Sequence, residues 1–416
     1  MESIIINGKN KLEGSVSISG AKNAVLPIMA AALIPKGVSI ISNVPDLKDT
    51  RTMVKLLEEV GAKVVFNNNI LTIDSINAHN PEASYELVKT MRASFYVLGP
   101  LISRFGKVKV SLPGGCAWGP RPVDYHLKGL EELGAKITLD EGYIMAESEK
   151  LIGSEIEFDF PSVGATGNLI MASVYVSGKT IIKNAAKEPE IVQLCEYLVK
   201  MGANIEGAGT KQVIIRGVKK LQAADITVIP DRIEAGTFLI AGAIMGDITI
   251  KNVNPNHLTL VIRYLRAVGS EVEIKNNQIS IKKSNKIKPI NIETNVYPGF
   301  PTDLQAQWVS LMVLADGNSS IVDNVYKDRF SHVPELSRLG ANLKVENNKI
   351  LIHGVKKLKG AKVMSTDIRA SASLIIAGLA ASGKTNISRV YHIDRGYENI
   401  EQKFRGLGAK INRENN

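Results

Sequence analysis

The sequence is short of most features that would place it outside a soluble, reducing setting. It has 416 residues but only two cysteines, Cys116 and Cys195. That is too few for a disulfide framework, so a reducing cytoplasm is expected. The six histidines are scattered and no CxxC pair occurs, so no metal site is expected. Aromatic residues make up 5% of the chain, and the basic residues are dispersed with no stacking residues between them, which argues against nucleic acid as a partner. The longest apolar run, "AVLPIMAAALIP", is twelve residues, well short of the roughly twenty that span a bilayer, so no membrane insertion is expected. The opening "MESIIINGKN" has neither a basic n-region nor a cleavage site of small residues, and so does not read as a signal peptide. "ASGKTNI" follows a helical stretch and lacks the glycine spacing of a P-loop, which excludes an ATP site there.

What the chain does have is a repeat. "LLEEVGAKV", "LEELGAKIT", "LVKMGANIE", "LRAVGSEVE", "LSRLGANLK" and "FRGLGAKIN" centre on Gly61, Gly134, Gly202, Gly269, Gly340 and Gly408, at spacings of 73, 68, 67, 71 and 68 residues. Each reads as the end of an amphipathic helix, a glycine taking positive φ at the C-cap, and a strand. Before each comes a second kind of segment, such as "GATGNLIMASVYVSGKTII" or "IRASASLIIAGLAASGKTNI": a helix rich in Ala, Gly, Ser and Leu, a glycine turn and a β-branched strand. These helices are apolar on nearly every side and belong in a core.

The unit is therefore βαβαββ, present six times, which predicts an α/β fold of two similar domains with three units each. The sixth unit stops soon after "LGAKI", and "IIINGKNKL" near the N-terminus matches "VIIRGVKKL" and "ILIHGVKKL". The N-terminus is accordingly expected to supply the last two strands of the sixth unit. The expected domains are 22–229, and 1–21 with 230–416, joined by two chain crossings that suit a hinge over a cleft holding the active site.

The polar residues of the core helices gather at their starts: Lys22, Asn23, Arg92, Ser162 to Thr166, Asp231, Arg232, Thr302, Asp303, Asp367 and Arg369. Helix N-termini carry partial positive charge and free N–H groups, a natural setting for anions. With a net charge of +10, the residues Lys22, Arg92, Arg121, Arg329, Arg369 and Arg395 together suggest a cage for phosphate and carboxylate groups. Cys116 lies in "LPGGCAWGPRPVD", a glycine- and proline-rich loop with Arg121 five residues on. A thiol near fixed positive charge has a lowered pKa and serves as a nucleophile or acid, and such a loop is suited to closing over a site. Cys195, in "IVQLCEYL", reads as a core residue.

The motifs "SGAKNAVLP", "MRAS", "LPGGC", "RPVDYH", "FPSVGAT", "PDRIEAGTF", "FPTDLQAQ" and "HIDRGYE", in this order, make the chain resemble the UDP-N-acetylglucosamine 1-carboxyvinyltransferase family over its whole length. The resemblance implies two inside-out α/β prism domains. It implies transfer of the enolpyruvyl group of phosphoenolpyruvate to the 3′-hydroxyl of UDP-N-acetylglucosamine, with release of phosphate, as the first committed step of peptidoglycan synthesis in the cytoplasm. No metal or organic cofactor is implied. Cys116 would be the acid and form a covalent adduct with phosphoenolpyruvate, which would make the protein a fosfomycin target. Asp303 would take the hydroxyl proton. Lys22, Arg92, Arg121 and Arg395 would hold the phosphate and carboxylate, and Asn23 would touch the intermediate. The sugar nucleotide would be bound by Arg92, Arg121, Pro122, Val123, Asp124, Tyr125, Ser162, Val163, Gly164, Asp303 and Val325. Asp231, Arg329, Asp367 and Arg369 match further active-site positions. The chain departs from the family at Trp118, where a smaller aliphatic is usual, and at Phe160 and Pro161, where some members have a lysine. Two alternatives stand beside this: the sister enzyme that uses shikimate 3-phosphate, and a non-catalytic paralogue that binds sugar nucleotide and regulates other proteins.

Overall fold

A computed structural model describes residues 2–112 and 123–415. Among these residues the strands form six four-stranded sheets. Each sheet is built alike. In that of Glu155–Glu157, Lys179–Lys183, Gln212–Arg216 and Asn204–Glu206, ordered across the sheet as given, the first pair is parallel and the others antiparallel. The parallel pair is joined by a core helix, and the next crossing carries a second, amphipathic helix, as the βαβαββ pattern requires. Along Lys179–Lys183 buried and more exposed residues alternate, so each sheet has one face on the helices and one towards solvent.

The chain divides into two compact units. The continuous unit spans Gly20–Ile229, and the split unit joins the residues up to Ser19 to those from Pro230 onward. The division falls two residues before the expected position on the N-terminal side. In the continuous unit the core helices are Lys22–Ala31, Leu98–Phe105 and Val163–Ala172; in the split unit they are Arg232–Met245, Gln305–Met312 and Ile368–Ala380. Helix Val163–Ala172 has eight buried residues, from Ala165 to Ala172. Small side chains let these helices approach one another: a Cβ on Gly99 would stand 2.2 Å from the carbonyl oxygen of Asn168. The amphipathic helices end at the six repeat glycines, all with φ between 87° and 105°, a region that glycine enters without steric cost.

One expectation about the chain ends is corrected. The sixth unit carries its own third strand, Lys410–Asn415, and the N-terminus supplies only its last, Glu2–Asn7, which lies antiparallel between Lys384–Ser388 and Lys410–Asn415. The next N-terminal strand, Leu12–Ser17, runs parallel to Gly246–Lys251 and opens the fourth unit. Ile226–Thr227 likewise opens the first unit, parallel to Ile41–Ser42. In the sixth repeat Lys410–Asn415 has no local hairpin partner, and Glu2–Asn7 fills the gap between it and Lys384–Ser388.

Loops at equivalent places are fixed in the same way. Asn43, Asn184 and Asn252 follow the second strand of their repeats with φ of 57°, 53° and 53°. Their side-chain amides donate to the carbonyls of Val228, Phe158 and Ile18, each just past the first strand, at 2.8, 2.7 and 2.8 Å. In the continuous unit Arg104 gathers separate turns, its guanidinium donating to the carbonyls of Leu33 at 2.6 Å and Ser75 at 2.7 Å, with Pro35 and Ala78 both at 3.3 Å. Burial lowers its pKa, a sign that these carbonyls replace water around the charge.

Replacing Arg104 by Met keeps the apolar stem and removes those bonds. Thermal unfolding of Arg104→Met is expected to show a loss of ~3 kcal/mol or more; an unchanged melting temperature would show that the turns hold without the guanidinium.

Candidate functional site

Most of the residues singled out from the sequence lie at the first turns of core helices or in the turns just before them. In the continuous unit Lys22 and Asn23 open helix Lys22–Ala31, and Arg92 opens the 3-10 helix Arg92–Val97 that leads into Leu98–Phe105. Ser162 caps helix Val163–Ala172, its hydroxyl accepting from Ala165 N at 3.3 Å, with Val163 and Gly164 as the first residues within. Val123 lies just before helix Asp124–Glu132, which Asp124 and Tyr125 begin. Cys116, Arg121, Pro122 and Trp118 lie outside the described residues.

Two interactions here had no separate signal in the sequence. Lys22 Nζ lies 3.4 Å from the Asp49 carboxylate, which is 4% exposed. His126 is buried and packs edge-on against Phe95 at 4.9 Å between ring centres. Asn168 Oδ1 accepts from Gly99 N at 2.9 Å, so its amide nitrogen donates, to Phe95 O at 3.0 Å and to His126 Nδ1 at 2.8 Å. That makes Nδ1 an acceptor and assigns the imidazole proton to Nε2, beside Gly164. Burial, with the charge of Arg92 added, depresses the His126 pKa to about 3. His126 is therefore a neutral N–H donor near a helix start.

In the split unit Asp231 caps helix Arg232–Met245, accepting from Ile233 N at 2.8 Å and Glu234 N at 3.0 Å. Asp367 caps Ile368–Ala380 in the same manner, accepting from Arg369 N at 2.8 Å and Ala370 N at 3.1 Å. Asp303 lies in the turn Thr302–Leu304 before Gln305–Met312, where two arginines reach it, Arg329 Nη1 at 2.8 Å from Oδ1 and Arg369 Nη2 at 3.0 Å from Oδ2. Burial alone would raise its pKa, but Arg369 and Arg329 outweigh that and hold the carboxyl well below the usual range. Asp303 is thus ionised, and the trio carries a net positive charge. Val325 and Arg329 belong to a loop anchored by buried Asp323, which accepts from Thr294 and Thr302 hydroxyls at 2.7 and 2.8 Å and from Val325 N and Tyr326 N at 3.0 and 2.8 Å. Arg395 ends the 3-10 helix Val390–Arg395.

The remaining thiol and the other buried histidine are less open to chemistry. Cys195 is 1% exposed, and burial, with Glu196 nearby, pushes its pKa up to about 12, so it belongs to the core as expected. His332, 1% exposed, is lowered to about 4 by burial despite the attraction of Asp367. Among the described residues no cluster of His, Cys, Asp and Glu is arranged to hold a metal ion, and no helix is long and apolar enough to cross a membrane.

Comparison with known proteins adds to this geometry. A family model described as EPSP synthase (3-phosphoshikimate 1-carboxyvinyltransferase) matches residues 6–404. The UDP-N-acetylglucosamine 1-carboxyvinyltransferase of Chloroherpeton thalassium is 54% identical, over 100% of this chain and 97% of its own. That of Geotalea uraniireducens is 53% identical, over 99% of both chains. Among solved structures, the enolpyruvyl transferase NikO from Streptomyces tendae superposes with a TM-score of 0.90 at 25% identity, covering 99% of this chain and 98% of that one. An EPSP synthase from Acinetobacter baumannii gives a TM-score of 0.78 at 18% identity over the full length of both, a likeness of fold.

The two buried imidazoles set an acid limit on stability. Folding keeps them neutral, while unfolding lets them take up protons below pH 6.5, so stability is lost as pH falls from 6.5 towards about 3 for His126. The melting temperature of His126→Gln is expected to fall less steeply than that of the wild type between pH 6.5 and about 4. Parallel curves would mean that His126 is already protonated in the folded protein.

Proposed function

Because the chain belongs to the UDP-N-acetylglucosamine 1-carboxyvinyltransferase family, within the wider group that the EPSP synthase model describes, we propose that it transfers the enolpyruvyl group of phosphoenolpyruvate to the 3′-hydroxyl of UDP-N-acetylglucosamine and releases phosphate. Identity above 50% along the whole chain carries this reading and favours the sugar nucleotide over shikimate 3-phosphate as the acceptor. The reaction is addition followed by elimination. The sugar oxygen bonds to carbon 2 of phosphoenolpyruvate while carbon 3 gains a proton; carbon 3 then loses a proton as the carbon–oxygen bond to phosphate breaks.

The residues described suit that course. Asp303, ionised between Arg329 and Arg369, is the acceptor for the hydroxyl proton. So depressed a carboxyl is a weak base. A substrate anion that draws hydrogen bonds from either arginine weakens its hold on Asp303 and raises the basicity when substrate is present. Lys22, Arg92, Arg121 and Arg395 neutralise the phosphate and carboxylate, most of all as phosphate departs, and Asn23 contacts the intermediate. The helix starts at Asp124 and Ser162 to Gly164 offer N–H groups to the diphosphate of the nucleotide, and Val325, in the anchored loop of the split unit, is a further nucleotide-binding residue. Asp231 and Asp367 hold their helix starts rigid through the caps described. Cys116 delivers the proton to carbon 3 and is the thiol that fosfomycin alkylates.

Phosphate release from phosphoenolpyruvate is expected only when UDP-N-acetylglucosamine is also present, and to collapse in Cys116→Ser. Release that persists in the mutant would demote Cys116 to a loop residue, and no release from the wild type would overturn the reading. Mass spectrometry after fosfomycin treatment should find one adduct, on Cys116. Asp303→Asn is expected to lose roughly 10²- to 10⁴-fold in kcat, the usual contribution of a positioned acid or base.

A further inference from the structure

Tyr397 lies just after the 3-10 helix Val390–Arg395 and is 2% exposed. Its hydroxyl stands 2.8 Å from Thr237 Oγ1, 3.1 Å from Gln307 Nε2 and 3.4 Å from Arg369 Nη1. These partners sit in the three core helices of the split unit, Arg232–Met245, Gln305–Met312 and Ile368–Ala380. The direction of each bond follows from the donors present. The Thr237 hydroxyl proton goes to the Ile233 carbonyl at 2.8 Å, so Tyr397 donates to Thr237 and accepts from Gln307 and Arg369. A phenol has one proton and two lone-pair positions, and here all of them are used.

Two of those bonds continue to Asp303. The guanidinium held by Tyr397 through Nη1 reaches Asp303 Oδ2 through Nη2 at 3.0 Å. The Gln307 amide that donates to Tyr397 also donates to the Asp303 backbone carbonyl at 3.0 Å. One buried hydroxyl thus touches both the side-chain and the main-chain supports of the carboxylate. A guanidinium is planar, so fixing Nη1 fixes the line along which Nη2 points.

We propose that Tyr397 is a positioning residue for the transfer reaction: its hydroxyl sets the orientation of Arg369 and of the turn carrying Asp303, and so aims the Asp303 carboxylate at the sugar hydroxyl. This rests on the reading of Asp303 given under the proposed function. Tyr397 need not touch either substrate. The bonds that matter are the one it gives to Thr237, which orients the phenol, and the two it receives.

The test uses the full-length protein and follows phosphate release with both substrates. Tyr397→Phe keeps the ring and removes the hydroxyl; Thr237→Val removes its acceptor; Thr237→Ser restores that acceptor. Tyr397→Phe and Thr237→Val are expected to lower kcat about tenfold to a hundredfold, the scale of a misplacement of about 1 Å, with both KM values within about twofold of the wild type. Thr237→Ser is expected to keep most of the wild-type kcat. A purely structural role would lower the melting temperature and leave kcat per folded molecule unchanged, and that result overturns the proposal. So does a Thr237→Ser variant as slow as Thr237→Val. If Tyr397→Phe does not fold, the two Thr237 variants decide. A wild type that releases no phosphate overturns the proposed function and this inference together, whereas an active wild type with a normal Tyr397→Phe overturns this inference alone.

Discussion

A helix that is apolar on every side has to be enclosed, and the enclosure of three such helices in each unit governs where polar chemistry can go. Helices Arg232–Met245, Gln305–Met312 and Ile368–Ala380 are buried along almost their whole length. The sheets cover them with their apolar faces, so charged groups are confined to the helix ends and the loops beyond. The first turn of a helix also has N–H groups with no partner inside the helix. Asp231 and Asp367 satisfy some of these, and Arg369, next to its cap, is left to reach across to Asp303. The packing constraint and the placement of charge are thus one feature of the fold.

The electrostatics follow. Arg369 is 5% exposed and Asp303 only partly so, and a buried ion pair is stable only when its remaining donors and acceptors are satisfied. Here that is done by a second arginine and by a ring of neutral groups, Tyr397, Thr237 and Gln307. The continuous unit uses a different device. His126 is held neutral by burial and by the nearby charge of Arg92, and Asn168 fixes its tautomer, giving a donor without a further charge. One unit fixes a negative group among cations, and the other fixes a neutral donor close to a cation.

Much of this was legible in the sequence because the repeat is. The six glycines at intervals of 67 to 73 residues stand in the backbone region that makes glycine the favoured residue there. The buried helices show themselves by composition, and their polar residues gather at the helix starts. Other features carry no such mark. Tyr397, Gln307 and Thr237 are 70 to 160 residues apart from one another, and each alone reads as an ordinary core or turn residue. His126 sits within a recognisable motif, but its tautomer depends on Asn168, forty-two residues away. The match of "IIINGKNKL" to "VIIRGVKKL" and "ILIHGVKKL" marks only the last strand of a repeat, Glu2–Asn7, whereas Leu12–Ser17 belongs to a different sheet. Asn43, Asn184 and Asn252 offer a usable signal, since each follows the second strand of its repeat.

The position of strand Glu2–Asn7 bears on how the protein is made. It is made well before either of its neighbours, Lys384–Ser388 and Lys410–Asn415. Until they appear its backbone groups have no native partner. The continuous unit meanwhile has all of its strands once Thr227 has emerged. Translation therefore imposes an order, with the continuous unit gaining its strands first while the apolar "IIIN" segment waits for its partners. During that wait its run of three isoleucines is open to pairing with another copy.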